Sequence, residues 1–264
     1  MTGPGSNCFR LDNKTAIVTG GGSGIGEAIC LRFGANGAMV CVLDVNQEAA
    51  VNTAEKIKEE GGKAFAYVCD VTDQAKVKER FDAISKQHRI HILVNNAGVS
   101  HIGSLENTTE ADFDRVFQVN VKGFYNCLLA TVGHMKANGG GVILNMASIA
   151  GSTGIGERFA YSMTKGAVIA MTYSVAKDYL AHNIRCNSIS PARVHTPFVD
   201  GYLQKNYPGR EQEMFEKLSK AQPVGRMARP EEVASMALYL CSEEGSFLTG
   251  MDYLLDGGFT HLRG

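Results

Sequence analysis

The amino-acid sequence predicts a doubly wound α/β protein, in which helices cover both faces of one parallel sheet. Short apolar runs alternate with longer helical patterns along the 264 residues, and no linker or low-complexity segment separates them. The runs are apolar at successive positions, as expected for strands that are buried on both faces. A glycine-rich turn joins the first apolar run to the first helical pattern, which is typical of this class. We therefore expect one domain over residues 1–264.

Strand and helix patterns alternate regularly in the first part of the chain. The helix after the glycine-rich turn is expected to end near Gly37, and Gly61 follows the end of the next helix, because glycine commonly terminates helices. The region from Gln47 to Glu60 is charged and periodic, which indicates an amphipathic helix. The predicted strands are Thr15–Thr19, Ala38–Leu43, Ala64–Cys69 and Ile90–Val94, and the predicted helices are Gly26–Gly34, Gln47–Glu60 and Asp73–Gln87.

The second part of the chain continues the alternation after a loop over residues 95–108. Four prolines mark residues 191–223 as irregular, with at least one helix, near residues 210–220. Proline at the first position and acidic residues in the first turn favour a helix that begins at Pro230. The remaining predicted helices are Glu110–Lys136, Tyr161–His182 and Pro230–Cys241, and the remaining strands are Gly141–Met146, Arg185–Ile189 and Tyr253–Leu255.

Composition excludes several classes of protein. Apolar residues make up 44% and charged residues 20% of the chain, which excludes a mostly disordered protein. The 26 basic and 27 acidic side chains give a net charge of −1, so no overall field favours nucleic acid or anionic lipid. Residues 1–10 are polar, and no apolar run approaches the roughly 18 residues of a membrane span. We therefore expect a cytoplasmic protein without a nucleic-acid or membrane partner.

Seven cysteines are an odd number, and no two of them form a C-x-x-C pair. Most lie within apolar runs, where a free thiol behaves as a small buried side chain. This pattern favours a reducing compartment over a disulfide framework. The cysteines and histidines also lack the spacing of a metal site, so we expect no bound metal.

The turn from Gly20 to Gly26 has the composition of a phosphate-binding turn, because glycines let the backbone approach a pyrophosphate closely. Asp44 ends the second predicted strand, 18 residues beyond Gly26. A carboxylate at this point accepts hydrogen bonds from both ribose hydroxyls of an adenosine and repels a 2′-phosphate. No Arg or Lys lies between Met39 and Glu48 to attract that phosphate. NAD is therefore favoured over NADP, although a solvated carboxylate near a helix start also explains Asp44 taken alone.

Tyr161 and Lys165 are four residues apart and so share one face of a predicted helix. A phenol titrates near ~10 in water, and a nearby ammonium stabilises its anion. Taken alone, such a pair is usually a solvated part of a helix surface. Ser148 adds a second polar group 13 residues earlier, just past the strand Gly141–Met146, at the end of a parallel sheet where ligands bind. Together the three side chains indicate proton exchange with a bound molecule.

Three motifs in this order resemble the short-chain dehydrogenase/reductase family. They are Gly20-x-x-x-Gly24-x-Gly26, the run from Asn95 to Gly98, and Tyr161-x-x-x-Lys165, and the resemblance covers about residues 11–260. It implies a Rossmann fold, a nicotinamide cofactor, and hydride transfer to or from a small-molecule substrate. It also implies a homotetramer that uses the helices Glu110–Lys136 and Tyr161–His182 and the C-terminal strand. Their apolar stretches fit a subunit interface, and they fit packing on the chain's own sheet equally well.

The resemblance also implies the role of each catalytic residue. Tyr161 is the general acid/base, and Lys165 lowers its pKa and holds the nicotinamide ribose. Ser148 hydrogen-bonds the substrate oxygen, and Asn120 supports a water-linked proton path from the lysine.

The cofactor contacts follow from the same resemblance. Asp70 and Val71 bracket the adenine, and the run ending at Gly98 lies beside the adenosine. In the nicotinamide-binding segment that starts at Pro191, Ala192 replaces the family's usual glycine, which restricts the local backbone. The predicted cofactor-binding residues are Gly20, Ser23, Gly24, Ile25, Gly26, Asp44, Asp70, Val71, Asn96, Ala97, Gly98, Tyr161, Lys165, Val194 and Thr196.

Arg158 and Arg193 are candidate contacts for a substrate carboxylate, which a guanidinium binds in bidentate fashion. Residues 158–161, 184–187 and 222–226 resemble a subgroup that acts on acids and includes 2-keto-3-deoxy-L-fuconate dehydrogenase and cytosolic 3-hydroxybutyrate dehydrogenase. We therefore expect a sugar acid or small hydroxy acid, bound by Ser148, Tyr161, Arg158 and Arg193 under a lid at about residues 196–222. Either arginine can instead belong to a subunit interface or a salt bridge.

Two other functions remain open from the sequence. A 3-oxoacyl thioester reductase shares the catalytic residues, but it normally uses NADPH, which Asp44 opposes, and no basic patch for an acidic carrier is evident. A catalytically silent nucleotide-binding scaffold is the other alternative. The complete set of Ser148, Tyr161, Lys165 and Asn120 argues against it.

Overall fold

The computed structural model describes residues 8–262, in which seven parallel strands form one sheet in the order β3-β2-β1-β4-β5-β6-β7. Helices cover both faces, so the predicted fold class is confirmed. Residues 1–7 and 263–264, which the predicted domain and the polar N-terminal segment include, lie outside the described residues. The strands are β1 (Thr15–Thr19), β2 (Met39–Asp44), β3 (Lys63–Val68), β4 (Ile92–Asn95), β5 (Gly141–Met146), β6 (Ile184–Pro191) and β7 (Asp252–Leu255).

Nine α-helices lie within residues 8–262. They are α1 (Gly24–Ala35), α2 (Gln47–Glu59), α3 (Gln74–Gln87), α4 (Glu110–Phe117), α5 (Gly123–Ala137), α6 (Phe159–Tyr179), α7 (Pro197–Asn206), α8 (Glu211–Lys220) and α9 (Pro230–Cys241). Helices α1, α2 and α9 pack on one face of the sheet, and α3, α5 and α6 pack on the other. None of these helices is long and apolar enough to cross a membrane.

The apolar runs become strands because both of their faces are covered. Every residue of β1 is buried, and so is every residue of β4. Strand β3 is different: it lies at the edge of the sheet, and Phe65 and Val68 are exposed. The expectation of burial on both faces is therefore wrong for β3, because an edge strand has a neighbour on one side only.

One helix prediction also needs correction. The predicted helix Glu110–Lys136 is divided into α4 and α5 by a π-helical turn, Gln118–Lys122. The segment after Pro191, where at least one helix was expected, contains α7 in addition to α8. Pro197 occupies the first turn of α7, where a proline fits because its missing N–H would have no partner there.

All seven cysteines are free, and six of them are buried. Burial raises the pKa of the thiols, for Cys41 to about 12 and for Cys69 to about 11, because a thiolate is poorly solvated there. The buried thiols therefore stay protonated and serve as core side chains.

Candidate active site

A cleft of about 910 Å³ lies at the carboxyl ends of the strands. Strand β1 is followed in the chain by its neighbour β2 on one side, while its other neighbour is β4. The strand order reverses at that point, and open parallel sheets bind ligands there. The cleft therefore occupies the position that the topology favours.

The glycine-rich turn borders the cleft in a conformation that glycine suits. Gly20 and Gly24 have φ values of +62° and +55°, in the left-handed region that disfavours side chains. Asn96 donates from Nδ2 to the backbone oxygens of Thr19 and Gly20, both at 3.1 Å. The end of β4 thus fixes the turn that follows β1.

Gly26 supports this turn from behind. A Cβ atom at Gly26 would lie 2.0 Å from the Gly20 oxygen, so only glycine lets the helix and the turn pack together. Every other predicted cofactor-binding residue lines the cleft, whereas Gly26 does not. Gly26 therefore has a packing role in this turn, and its contact with the cofactor stays a prediction.

Asp44 faces the cleft from the end of β2. Its Oδ2 accepts a hydrogen bond from the Gly22 N–H at 3.0 Å, and its Oδ1 accepts one from the Asn46 N–H at 2.9 Å. These bonds hold the carboxylate beside the glycine turn, unlike a freely solvated side chain. The open glycine turn, this oriented acid and the adenine-side residues Asp70 and Val71 fit a nicotinamide dinucleotide.

Three of the four predicted catalytic side chains line this cleft, namely Ser148, Tyr161 and Lys165. Ser148 follows β5 and is 9% exposed. Its Oγ accepts a hydrogen bond from the Ala150 N–H at 3.2 Å. Tyr161 and Lys165 lie in the first two turns of α6, and the Lys165 Nζ is 5.7 Å from the centre of the tyrosine ring.

Burial controls the ionisation of both titratable groups. It raises the pKa of Tyr161, and hydrogen bonding to Ser148 and the charge of Arg158 partly oppose that rise. It lowers the pKa of Lys165 to about 8. The Lys165 ammonium donates to the Met146 carbonyl at 2.7 Å. Burial thus has the largest effect on the pKa of Tyr161 in the chain by itself, and the lowering of that pKa by Lys165 stays a prediction.

Asn120 lies in the π-helical turn between α4 and α5 and is completely buried. Its Oδ1 accepts from the Val99 N–H at 2.8 Å, and its Nδ2 donates to the Val99 oxygen at 2.9 Å and to the Thr164 hydroxyl at 3.1 Å. The side chain thus joins the loop after β4 to helix α6. Asn120 does not line the cleft. A proton path that included it would therefore run through the interior of the protein, behind Tyr161 and Lys165.

Arg158 and Arg193 both line the cleft. Burial lowers the pKa of Arg193, and the charge of Arg158 lowers it further, so the two guanidiniums are electrostatic neighbours. Neither forms an ion pair with an acidic side chain of residues 8–262, so the salt-bridge alternative is not seen there. The arrangement leaves two cations available to an anionic ligand.

The predicted lid, residues 196–222, contains α7 and α8. Tyr202 lines the cleft, and its hydroxyl lies 3.4 Å from that of Tyr207, which does not. His195 lies outside the cleft and pairs with Asp200 at 2.8 Å. Sequence reasoning missed several lining residues. Arg115 lies in α4, and the others lie on loops and on the lid, where no periodicity identifies them: Ile102, Ile155, Phe198, Gln222 and Phe259.

Residues 8–262 contain no group of three or more His, Cys, Asp or Glu side chains that could hold a metal ion.

Comparisons with known proteins agree with this geometry. A family model described as enoyl-(acyl carrier protein) reductase matches residues 20–260. The uncharacterized oxidoreductase YxbG of Bacillus subtilis is 38% identical over 94% of this chain and 92% of its own. The 3-oxoacyl-[acyl-carrier-protein] reductase FabG of Thermotoga maritima is 36% identical over 95% and 99%.

Solved structures share the whole fold. Levodione reductase superposes with a TM-score of 0.92 at 29% identity, over 96% of this chain and 100% of its own. L-sorbose reductase of Gluconobacter frateurii, solved with NADPH and L-sorbose, gives 0.91 at 26% identity over 97% and 99%. A 7α-hydroxysteroid dehydrogenase solved with NADH gives 0.86 at 36% identity over 96% and 97%. Similar folds thus bind either phosphorylated or unphosphorylated nicotinamide cofactors.

Proposed function

This chain belongs to the short-chain dehydrogenase/reductase family, and on that premise we propose that it is an NAD-dependent dehydrogenase of a sugar acid or small hydroxy acid. The observation that carries the proposal is the convergence of Ser148, Tyr161 and Lys165 on one wall of the cleft that the glycine turn and Asp44 border. The proposal includes the subgroup suggested by the sequence, which acts on acidic substrates.

One group of residues binds the cofactor, and another contacts the substrate oxygen and exchanges its proton. Asp44 and the glycine turn hold the adenosine and pyrophosphate, and Lys165 holds the ribose next to the reacting ring. When bound, the nicotinamide cofactor takes a hydride from the substrate carbinol carbon or returns it. Ser148 donates a hydrogen bond to the substrate oxygen, and Tyr161 takes or gives its proton.

Burial raises the pKa of Tyr161, and this affects the two directions of the reaction differently. A phenol whose pKa is raised stays protonated and so carries the proton that ketone reduction needs, whereas alcohol oxidation needs the phenolate. Positive charge near the phenolate favours that anion; the charge of Arg158 lowers the pKa of Tyr161, and the Lys165 Nζ lies 5.7 Å from the centre of the tyrosine ring. Their charges therefore support oxidation as well as reduction.

Arg158 and Arg193 support an acidic substrate. Two guanidiniums without a carboxylate partner in residues 8–262 border the catalytic wall. A substrate carboxylate would accept hydrogen bonds from them and fix the carbinol beside Tyr161. Residues 196–222 would then act as the lid that covers the bound acid.

A screen of NAD reduction over sugar acids, hydroxy acids, free sugars and simple alcohols tests the proposal. We expect an acid to be the best substrate. Tyr161→Phe should lose about 10²- to 10⁴-fold in kcat while NADH binding persists. Arg158→Ala should lose more kcat/KM on the acid than on neutral alcohols, for which only the effect of its charge on the pKa of Tyr161 is lost. Full kcat/KM of Arg158→Ala on the best acid would contradict the carboxylate contact.

A 3-oxoacyl thioester reductase is the second candidate, because FabG of Thermotoga maritima is similar over nearly the whole chain. This activity would be identified by NADPH-dependent reduction of acetoacetyl thioesters. The rate of that reduction would exceed the rate of oxidation of every acid in the screen. Asp44 opposes this candidate, since its carboxylate repels the 2′-phosphate of NADPH.

We also propose a homotetrameric enzyme of the cytoplasm. The six buried free thiols fit a reducing compartment. Helices α5 and α6 expose large apolar side chains, among them Leu129 at 53% and Tyr173 at 47%, which suit a subunit interface.

A further inference from the structure

Gln222 lines the cleft and has a buried amide nitrogen without a partner in residues 8–262. The residue follows α8 at the end of the lid segment, lines the cleft, and is 3% exposed. Its Nε2 is shielded from solvent and donates to no acceptor in residues 8–262. An amide nitrogen in this situation normally has a hydrogen-bond partner.

The missing partner costs stability. A buried donor without an acceptor destabilises a protein, because nothing compensates for the hydrogen bond to water that the donor has lost. Within residues 8–262, six buried side-chain atoms lack a partner, and Gln222 is the only one of these residues that lines the cleft. Gln222 is therefore the residue at which an unmet N–H and the surface of the cleft occur together.

The backbone connects Gln222 to the wall that carries Arg193. Gln222 accepts through its backbone oxygen from the Gly225 N–H at 2.7 Å, which closes a turn. The segment after this turn pairs with the segment of Arg193, whose oxygen accepts from the Ala228 N–H at 2.9 Å. The lining residues nearest in sequence, Leu218 and Met227, are apolar and offer no side-chain acceptor.

We propose that Gln222 is a specificity-determining residue that donates a hydrogen bond from Nε2 to a substrate hydroxyl, separate from the reacting carbinol and from the carboxylate. The substrate class is then a polyhydroxylated acid, as sugar acids are, rather than an aliphatic hydroxy acid. This inference rests on the proposed function for the carboxylate, while the hydroxyl contact is argued from Gln222 alone.

The selectivity follows from the cost of leaving the amide unpaired. A site built to hydrogen-bond a hydroxyl discriminates strongly against an analogue that lacks it, because the buried polar group then stays unsatisfied. An aliphatic hydroxy acid fills the same space and leaves Nε2 without an acceptor. We therefore expect a preference of about tenfold or more for the hydroxylated member of a matched pair.

Calorimetric titration of the enzyme–NADH complex tests this without requiring turnover. One pair of ligands is 3,4-dihydroxybutyrate and 3-hydroxybutyrate, and a neutral pair is threitol and 2,3-butanediol. The wild-type protein should bind the hydroxylated member of a pair more tightly, and Gln222→Leu should reduce that preference to about one. Gln212→Leu is the matched control, because Gln212 is exposed on α8 and does not line the cleft.

Thermal unfolding provides an independent readout. Gln222→Leu removes a buried donor that has no protein partner, so its Tm should equal or exceed that of the wild type. A clear fall in Tm would show that the amide has a structural role and would overturn the inference.

The outcomes separate this inference from the proposed function. An unchanged preference in Gln222→Leu, or no preference in the wild type for either pair, overturns the inference. Weaker NADH binding by Gln222→Leu also overturns it, since the amide would then serve the cofactor. A preference that depends on Gln222 for threitol alone, with neither acid bound, upholds the hydroxyl contact and shows that the carboxylate proposal has failed.

Discussion

Lys165 is a buried cation whose protonation should control cofactor affinity. Burial lowers its pKa to about 8, from ~10.4 in water. The ammonium is therefore present below pH 8 in the free protein and is lost above it. Since the proposed ribose contact uses the charged form, NADH binding takes up a proton above pH 8. The affinity should then fall with rising pH, by at most about tenfold per pH unit.

A fluorescence titration of NADH between pH 7 and 9.5 measures this effect. Lys165→Arg is the matched variant, because a guanidinium stays charged over the whole range. Its affinity should be nearly constant with pH, even if it is lower throughout. A wild-type affinity that does not change above pH 8, or an equal fall in the arginine variant, would contradict the assignment.

Asp44 should determine which nicotinamide cofactor is preferred. Asp44→Asn keeps an acceptor for the Gly22 N–H and removes the charge that repels a 2′-phosphate. We expect the ratio of the Kd for NADPH to the Kd for NADH to fall by about tenfold, which corresponds to ~1.4 kcal/mol. Asp70→Asn is the control at the other side of the adenosine, and it should leave the ratio unchanged. An equal ratio in Asp44→Asn and the wild type would exclude this role.

At the scale of the elements, two helical glycines make opposite predictions. Gly26→Ala forces a Cβ to within 2.0 Å of the Gly20 oxygen, so the turn must move. NADH binding should be lost, and Tm should fall by several degrees. Gly133 lies in the exposed part of α5, with no atom within 4 Å of an added Cβ. Gly133→Ala should stabilise the protein by about 0.5–1 kcal/mol.

Thermal unfolding and NADH titration of the two variants side by side measure the difference. The contrast depends on packing, because both substitutions improve intrinsic helix propensity to the same degree. Retained NADH affinity in Gly26→Ala would mean that the turn does not need its observed conformation for binding.

At the scale of the whole molecule, the outer faces of α5 and α6 predict assembly. The inner residues Phe124 and Val168 pack within the chain, whereas Leu129 and Tyr173 are exposed. Light scattering should give about four times 28.4 kDa for the wild type. Leu129→Arg should lower the assembled mass, because a charge at a buried interface is costly. Val68→Arg, an exposed apolar position on the edge strand β3, is the control. A monomer mass for the wild type would exclude the tetramer.

Much of the site could be predicted from local patterns. The turn from Gly20 to Gly26 follows directly from strand to helix, and Tyr161 and Lys165 are one helical turn apart. Such groups lie close together in sequence, so regular backbone geometry determines their relative positions. The order of the motifs along the chain predicts that the glycine turn and the catalytic helix lie at the same edge of a parallel sheet. In the structure both line the same cleft. The fold class followed from the alternation of apolar strands and helices for the same reason.

What the sequence determined by itself was therefore the sheet, the glycine turn and the catalytic helix, because each depends on neighbours along the chain. Only the tertiary structure decided that a π-helical turn buries Asn120, that Arg158 and Arg193 lack an acidic partner in residues 8–262, and that the Gln222 amide is enclosed. These properties arise where segments distant in sequence pack together and exclude water. No periodicity within one segment reports what another segment will remove from solvent.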